Sequence, residues 1–399
     1  MKIEGTPTDQ HFRLCLLNPW SVCNKADVIN DFIIEHDLEV LALTETWLTG
    51  TSSDGPVISA LLPDGYNIIS APRGSRGGGT AIIHRQSLKL SRTDIGPAKT
   101  SFEVPECTIN SPSAIRLCII YRPPNQTNVT TFLDEISDYL SNVSLSSGQL
   151  LVLGDFNLHV DDCSNSRSND FLSSLSSLGL QQHVKTSTHR NGHILDLVLT
   201  PQDSSLILTC VVQECGFPDH FPIFMQVAAK KPDLPRKKIT YRKTKSITQE
   251  SLHAALLSSH LSDPTLQELS IADAIITYQQ GLESVMNSLA RLRTVEITIR
   301  PEANWFTDEI RSAKQVRRRM ERLWRKTGLT VHREMYLVEE RRVCNLIHCA
   351  KKAYYNSQVT ACKGDQRCLF SVVNKLLGRS ESSPLPSGDP PILNCTGVQ

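Results

Sequence analysis

The side chains with the clearest chemical use in this 399-residue chain stand at the ends of short apolar runs. In QLLVLGDFNLHVDD, Asp155 and Asn157 follow the buried-strand pattern of residues 150–153, with Gly154 between them. A carboxylate and a carboxamide so spaced enter one cleft only if the backbone turns, and Gly154 permits the turn. The pair suits a phosphate ester and a divalent cation, Asp as base or ligand and Asn as an orienting donor. GDFN alone describes an Asx-stabilised turn equally well. Asp196, inside ILDLVLT, is a carboxylate in an apolar strand and is costly unless a partner waits for it. Similar placements recur at Asn18 after FRLCLL, Glu45 after EVLALT, Tyr121 and Arg122 before two prolines, and Asp219-His220 before the run 221–227. A histidine beside a strand start is, taken alone, more often a satisfied structural residue.

The elements that must position these groups follow from periodicity. A strand at 12–17, a helix over 25–37 with Val28, Ile29, Phe32 and Ile33 on one face, and a strand at 39–44 make an α/β unit. Strand ends in such units share an edge, so Asn18 and Glu45 are expected to meet. The RGSRGGG run reads as a flexible hairpin connection or as amides able to approach a phosphate. Phe132, Ile136, Tyr139, Leu140 and Val143 mark an amphipathic helix, and a serine-rich helix is stopped by Gly179. Asn191-Gly192 predicts a hairpin with both central residues at positive φ, returning as a strand over 194–200.

Composition sets limits: 40% hydrophobic and 21% charged residues are those of a globular chain long enough for two or three domains. No apolar run reaches the ~20 residues of a membrane span, and the first residues lack a secretory signal core. A nuclear or cytoplasmic, non-secreted protein with its twelve cysteines as thiols is therefore expected. Cys210 with Cys215, His189 with His193, and the group Cys344, His348 and Cys349 do not repeat a zinc-knuckle spacing. The net charge of +1 conceals an asymmetry: residues 1–229 hold 14 Lys and Arg against 24 Asp and Glu, and residues 311–379 hold 17 against 5. An acidic first half that acts on phosphate needs a metal ion or a basic neighbour.

Taken together, LLN, LTETWL, IIYRPP, GDFN, THRNGHILDLVLT and PDHFPI, in that order, resemble the endonuclease/exonuclease/phosphatase (DNase I-like) superfamily. Within it the likeness is to the apurinic-endonuclease-type domain of LINE (non-LTR) retrotransposon polyproteins, over about residues 11–228. The resemblance implies an α/β fold, a two-sheet sandwich flanked by helices, hydrolysing DNA phosphodiesters with Mg²⁺ or Mn²⁺. It implies Glu45 as main metal ligand with Asn18, and Asp219 near the metal or a second ion. Asp155 would activate or orient water, Asn157 and Tyr121 would hold the phosphate, and Asp196 would orient a charged His220. Thr188 matches a substrate-contact position, while Arg122, Arg190 and Asn191 are expected beside the substrate. The family often has Ser before the Asp-His pair, where this chain has Pro218.

From Lys230 the sequence changes character. We read 1–229 as the endonuclease-type domain, 230–247 as a basic linker, 248–380 as a helical, basic connector and 381–399 as a disordered tail. A capping box at Ser246-Ile-Thr-Gln249 precedes the first of several helices, about 271–292, 308–326, 331–360 and 365–377. That region resembles the connector to a reverse transcriptase, although no polymerase aspartate pair follows and reverse transcription is not expected of this chain. Its basic surface, with Trp324, Tyr354 and Tyr355, suits DNA or RNA, or is simply a solvated face. A phosphatase or phospholipase of the same superfamily, and a noncatalytic nucleic-acid-binding transposon remnant, are the alternatives. Nicking of plasmid against phosphate release from inositol phosphates separates the first.

Overall fold

The structure, a computed structural model, describes residues 11–74, 77–93, 99–110, 114–124, 129–145, 148–217, 219–229, 236–259, 261, 270–298 and 304–377. Two sheets are laid down in turn. The chain opens with β1 (Phe12–Leu17), α1 (Ala26–Glu35), β2 (Val40–Leu43) and α2 (Gly55–Leu61), then β3 (Tyr66–Ala71) and β4 (Thr80–Arg85). There follow β5 (Leu90–Thr93), β6 (Glu106–Ile109), β7 (Ile115–Tyr121), α3 (Val129–Ser144) and β8 (Gln149–Asp155). The series continues through α4 (Ser166–Ser177), β9 (Leu180–Gln182), β10 (Asp196–Pro201), β11 (Ile207–Val212) and β12 (Ile223–Val227). Strand orders are β11-β12-β1-β2-β4-β3 and β5-β6-β7-β8-β10-β9.

Alternate residues of each central strand explain the layering. Phe12, Leu14 and Leu16 of β1 share one core with Ile119, Leu151, Leu153 and Val198, which joins the two sheets face to face. Cys15 and Leu17 point the other way, onto α1 and α2, while Leu150 and Val152 cover α3 and α4. Strands covered on both faces must be continuously apolar, which is why the runs look unbroken in sequence. Each fully buried Leu or Ile contributes about 2 kcal/mol of burial free energy. The expected two-sheet α/β sandwich with flanking helices is what forms.

Gly154 has a different role from the one its position suggests. It lies inside β8, at φ 151°, where a Cβ would stand 1.8 Å from the Ile120 carbonyl oxygen of β7. Close strand approach, not a turn, demands glycine there. The Asn191-Gly192 turn also differs: Gly192 alone of the two is left-handed, closed by its N–H on the His189 carbonyl, and the return strand starts at Asp196.

Beyond the sandwich the chain divides elsewhere than composition suggested, into one compact unit of residues 1–232 with 301–399 and a second of residues 233–300. In the second, residues read as linker form β13 (Arg236–Tyr241), antiparallel to β14 (Arg293–Thr298), with α5 (Gln249–Leu257) and α6 (Ile271–Leu289) between. The pairing of positions almost sixty residues apart overrides the local linker signature. The capping box sits two residues later than expected, on Thr248 and Ser251.

In the first unit, α7 (Asp308–Thr327), α8 (Thr330–Ala361) and α9 (Gln366–Leu376) follow. Gly328, left-handed at φ 65°, ends α7. The basic face of this hairpin meets the acidic face of α1: Lys314 pairs with Asp31, Arg317 with Glu35, and Lys351 with Asp27 at 2.5 Å, while Arg317 also pairs with Glu340 of α8 at 3.0 Å. Cys362 and Cys368 form a disulfide, contrary to the all-thiol expectation, because the turn between α8 and α9 brings their Cα atoms to 5.5 Å. The tail expected to be disordered, 381–399, and Pro218 lie outside the described residues. Among the described residues no helix is long and apolar enough to cross a membrane.

Candidate active site

The register of the sheets brings the strand ends to one edge. β1 and β2 run parallel, so Asn18 and Glu45 leave them side by side. β7 and β8 are also parallel, with Tyr121 level with Asp155, and antiparallel β10 sets Asp196 opposite Asp155. His220 arrives just before β12, bridged to His189.

One amide joins the two sheets at this edge. Asn18 Nδ2 donates to Glu45 Oε1 at 3.0 Å and to Asp155 Oδ2 at 2.9 Å. Asp155, fully buried, also accepts the Asn157 N–H on Oδ1 at 3.0 Å, and its Oδ2 lies 3.9 Å from His220 Nε2. The opposite ring nitrogen, Nδ1, is 2.8 Å from Asp196 Oδ2. Burial, reinforced by the Asp196 charge, pushes the Asp155 carboxyl well above the usual carboxylate range. Burial by itself lowers His220, but the Asp196 and Asp155 carboxylates outweigh it and raise the imidazole to about 10. The ring is therefore a cation at neutral pH. Burial and the nearby Glu45 and Asp155 raise the Tyr121 phenol far above its ordinary value, so it remains a protonated donor.

Backbone strain is concentrated here. Trp20, Ser21, Glu45, Trp47 and Asn157 all have left-handed φ between 47° and 78°. Such conformations cost about 1–3 kcal/mol each and persist where surrounding bonds over-determine them. Those bonds are present: Thr46 and Trp47 donate their N–H groups to the carbonyls of Gly79 and Gly78, and Ser21 donates to the Glu45 carbonyl. The glycine run thus holds the Glu45 loop. Glu103 fixes the run in turn, accepting the Gly79 N–H at 2.7 Å and pairing with Arg73 at 2.5 Å.

Other expected contacts are occupied by structure. Arg122 is buried, its Nη1 donating to the Asn157 carbonyl at 2.9 Å while its guanidinium stacks over Phe132. Asn157 Nδ2 returns a bond to the Arg122 carbonyl at 2.7 Å. Thr188 is buried as well, its hydroxyl accepting the N–H groups of Leu195 and Asp196. These two residues brace the site, which their sequence positions did not reveal. Arg190 is exposed and its guanidinium lies 3.8 Å from the Asp219 carboxylate, and Asn191 is exposed at the turn. Lys25 was missed entirely: its Nζ donates to the Pro19 and Trp20 carbonyls at 2.6 and 2.8 Å, in the field of Asp219 and Glu45. Trp47 was missed too, although the TETWL run placed its indole N–H within reach of Glu45 Oε2, at 3.3 Å.

The donor set fits a hard divalent cation. Glu45 and Asp155 oxygens flank the Asn18 amide, and Asp196 Oδ1 is buried without a hydrogen-bond partner. Asp155, Asp196 and His220 are themselves close enough to form a metal-like cluster. The Asp196–His220 bond holds the ring with Nε2 turned toward Asp155, and the Glu45 oxygens beside the Asn18 amide are the donors best placed to hold such an ion.

The model of a family described as endonuclease-reverse transcriptase matches residues 115–224, the stretch containing Tyr121, Asp155, Asn157, Asp196 and His220. The resemblance drawn from the motifs is borne out. Similar solved structures include the endonuclease domain of TRAS1, a telomere-specific non-LTR retrotransposon, at 15% identity over 55% of this chain and 100% of that one, TM-score 0.43. An AP endonuclease from Archaeoglobus fulgidus matches at 14% identity over 54% and 98%, TM-score 0.43. A mannosyl-6-phosphatase from Bacteroides thetaiotaomicron matches at 13% over 54% and 99%, TM-score 0.40. No curated protein matches the chain.

Proposed function

We propose, from the premise that residues 115–224 are an endonuclease-reverse transcriptase family segment in an endonuclease/exonuclease/phosphatase fold, that this chain is a metal-dependent endonuclease that nicks DNA. The observation that carries the reading is the Asn18 amide linking Glu45 to Asp155, with Asp155 facing a His220 charged by Asp196. Glu45, with Asn18 and Asp219 nearby, would hold Mg²⁺ or Mn²⁺, which neutralises phosphate charge. Asp155, with its raised proton affinity, accepts a proton from the attacking water. His220 and the Tyr121 phenol donate toward phosphate oxygens whose charge grows in the transition state, and Asn157 orients the phosphate.

Arg190 and Asn191, exposed on the turn beside Asp219, are suited to contact the DNA backbone. For the basic helices, the ion pairs to α1 consume Lys314, Arg317 and Lys351, whereas Arg319, Arg322, Lys326, Arg341 and Lys352 are exposed and available to phosphates. The helices would thus add affinity for DNA without reading its sequence.

The test is relaxation of supercoiled plasmid by the full chain with Mg²⁺ or EDTA. Nicking that needs the metal and is lost in Asp155→Ala and His220→Ala supports the reading. Metal-dependent phosphate release from inositol phosphates, with plasmid untouched, overturns it.

A further inference from the structure

We infer that Trp20 is a stacking platform that receives a nucleobase next to the scissile phosphate; the inference rests on the DNA reading of the site and narrows it. Its indole is 53% exposed and makes no hydrogen bond or ring contact among the described residues. Lone exposed apolar side chains are ordinary and mean nothing by themselves. The backbone beneath this one is not ordinary. Trp20 has φ 47° and Ser21 φ 78°, two successive left-handed residues in a turn where glycine or asparagine would be the natural choice.

Three hydrogen bonds hold that turn. The Trp20 N–H donates to Asn18 Oδ1 at 3.0 Å, Lys25 Nζ donates to the Trp20 carbonyl at 2.8 Å, and the Ser21 N–H donates to the Glu45 carbonyl at 2.9 Å. The first runs to the same amide whose Nδ2 joins Glu45 and Asp155. An indole is therefore carried on a strained, fully anchored peptide, two residues from the centre of the site, with about half of the residue's surface in water. Folding buries only about half of this residue, which leaves a broad apolar face open to whatever enters the site. A flat, electron-rich face within about 7 Å of chain from the phosphate-binding centre suits a base flanking the cleaved bond. A phosphomonoester without a planar group would leave the ring unused.

Trp20→Ala is expected to raise KM for plasmid nicking roughly tenfold, the scale of one stacked base, with kcat within about twofold. Trp20→Phe restores most of the loss. Since four tryptophans contribute, fluorescence is read as the difference between wild type and Trp20→Phe on adding a short duplex oligonucleotide. Quenching present in the first and missing in the second supports the assignment, and it is repeated in an Asp155→Asn background so that binding is read without cleavage. Equal KM for wild type and Trp20→Ala with the same quenching in Trp20→Phe overturns it. So does quenching of Trp20 by mannose 6-phosphate or inositol phosphate and not by the oligonucleotide. If Trp20 is quenched by DNA but no nicking occurs, the endonuclease reading fails and the stacking site stands.

Discussion

Asp155 and Asp196 are register partners on β8 and β10, both buried, and a single histidine faces both, with Nδ1 2.8 Å from Asp196 and Nε2 3.9 Å from Asp155. Each carboxylate raises His220, and Asp196 raises Asp155, so the three groups carry charge as a unit. Replacing Asp155 by Asn should cut nicking by at least about a thousandfold. It should leave the melting temperature equal or higher, because an isosteric amide removes a charge that burial disfavours. Plasmid nicking and calorimetry on the same preparation check both halves; a variant that melts far below wild type contradicts the second.

The same unit sets the pH dependence of stability without metal. A folded-state pKa raised from 6.5 to about 10 means that His220's contribution is complete below the first value and disappears as pH climbs through the second. Asp155, also raised, acts in the same direction, its contribution complete below 3.8 and lost as pH rises through its folded value. In EDTA, the unfolding free energy from urea melts should fall between about pH 6 and pH 10, by up to roughly 5 kcal/mol. Asp196→Asn should flatten the fall, since His220 then returns toward its ordinary value. A flat wild-type profile would be inconsistent with the pairing.

Arg122 is expected to act through Asn157 and not through substrate. Arg122→Lys keeps the charge but loses the planar donor fork that reaches the Asn157 carbonyl. Turnover should fall about tenfold with KM unchanged. A rise in KM alone would instead place the guanidinium on the phosphate.

The Lys314–Asp31 pair between the helical hairpin and α1 is buried, so removing one partner strands the other. Asp31→Ala should cost about 3 kcal/mol and open residues 308–361 to proteolysis, whereas Asp31→Leu combined with Lys314→Met should recover most of the loss. Urea unfolding with limited proteolysis measures both; equal stability of the single variant and wild type would remove the pair from the energetics.

Gly154→Ala tests the strand approach directly. The added methyl meets the Ile120 carbonyl, and φ 151° is foreign to alanine, so we expect a loss above about 4 kcal/mol or failure to fold. Soluble expression with native-like melting would show that β7 and β8 can separate.

Much of the sandwich and the edge where the polar groups meet were legible because they are local. Apolar runs such as 150–153 and 39–44 announce strands, and each is followed at once by Asp155 or Glu45. Residues whose role depends on a distant partner were not legible. Nothing in the sequence around Arg122 or Thr188 announces their burial or their bonds to the Asn157 carbonyl and to the Leu195 and Asp196 N–H groups. Gly154 looks like a turn until Ile120 is beside it. Nothing near Lys314 announces Asp31, 283 positions away, and the basic run at 236–245 conceals a strand because its partner is β14.

The grip of the hairpin on α1 has a mechanical corollary. That helix is the tether between β1, which leads to Asn18, and β2, which leads to Glu45. A pull on α7 or α8 must either rupture the contacts at Asp27, Asp31 and Glu35 or drag along the ten-residue rod whose first turn follows the Asn18 loop and whose last turn hands the chain to the start of β2 at the opposite edge. Load borne downstream is thereby delivered to the Asn18 end of the sheet through one short lever.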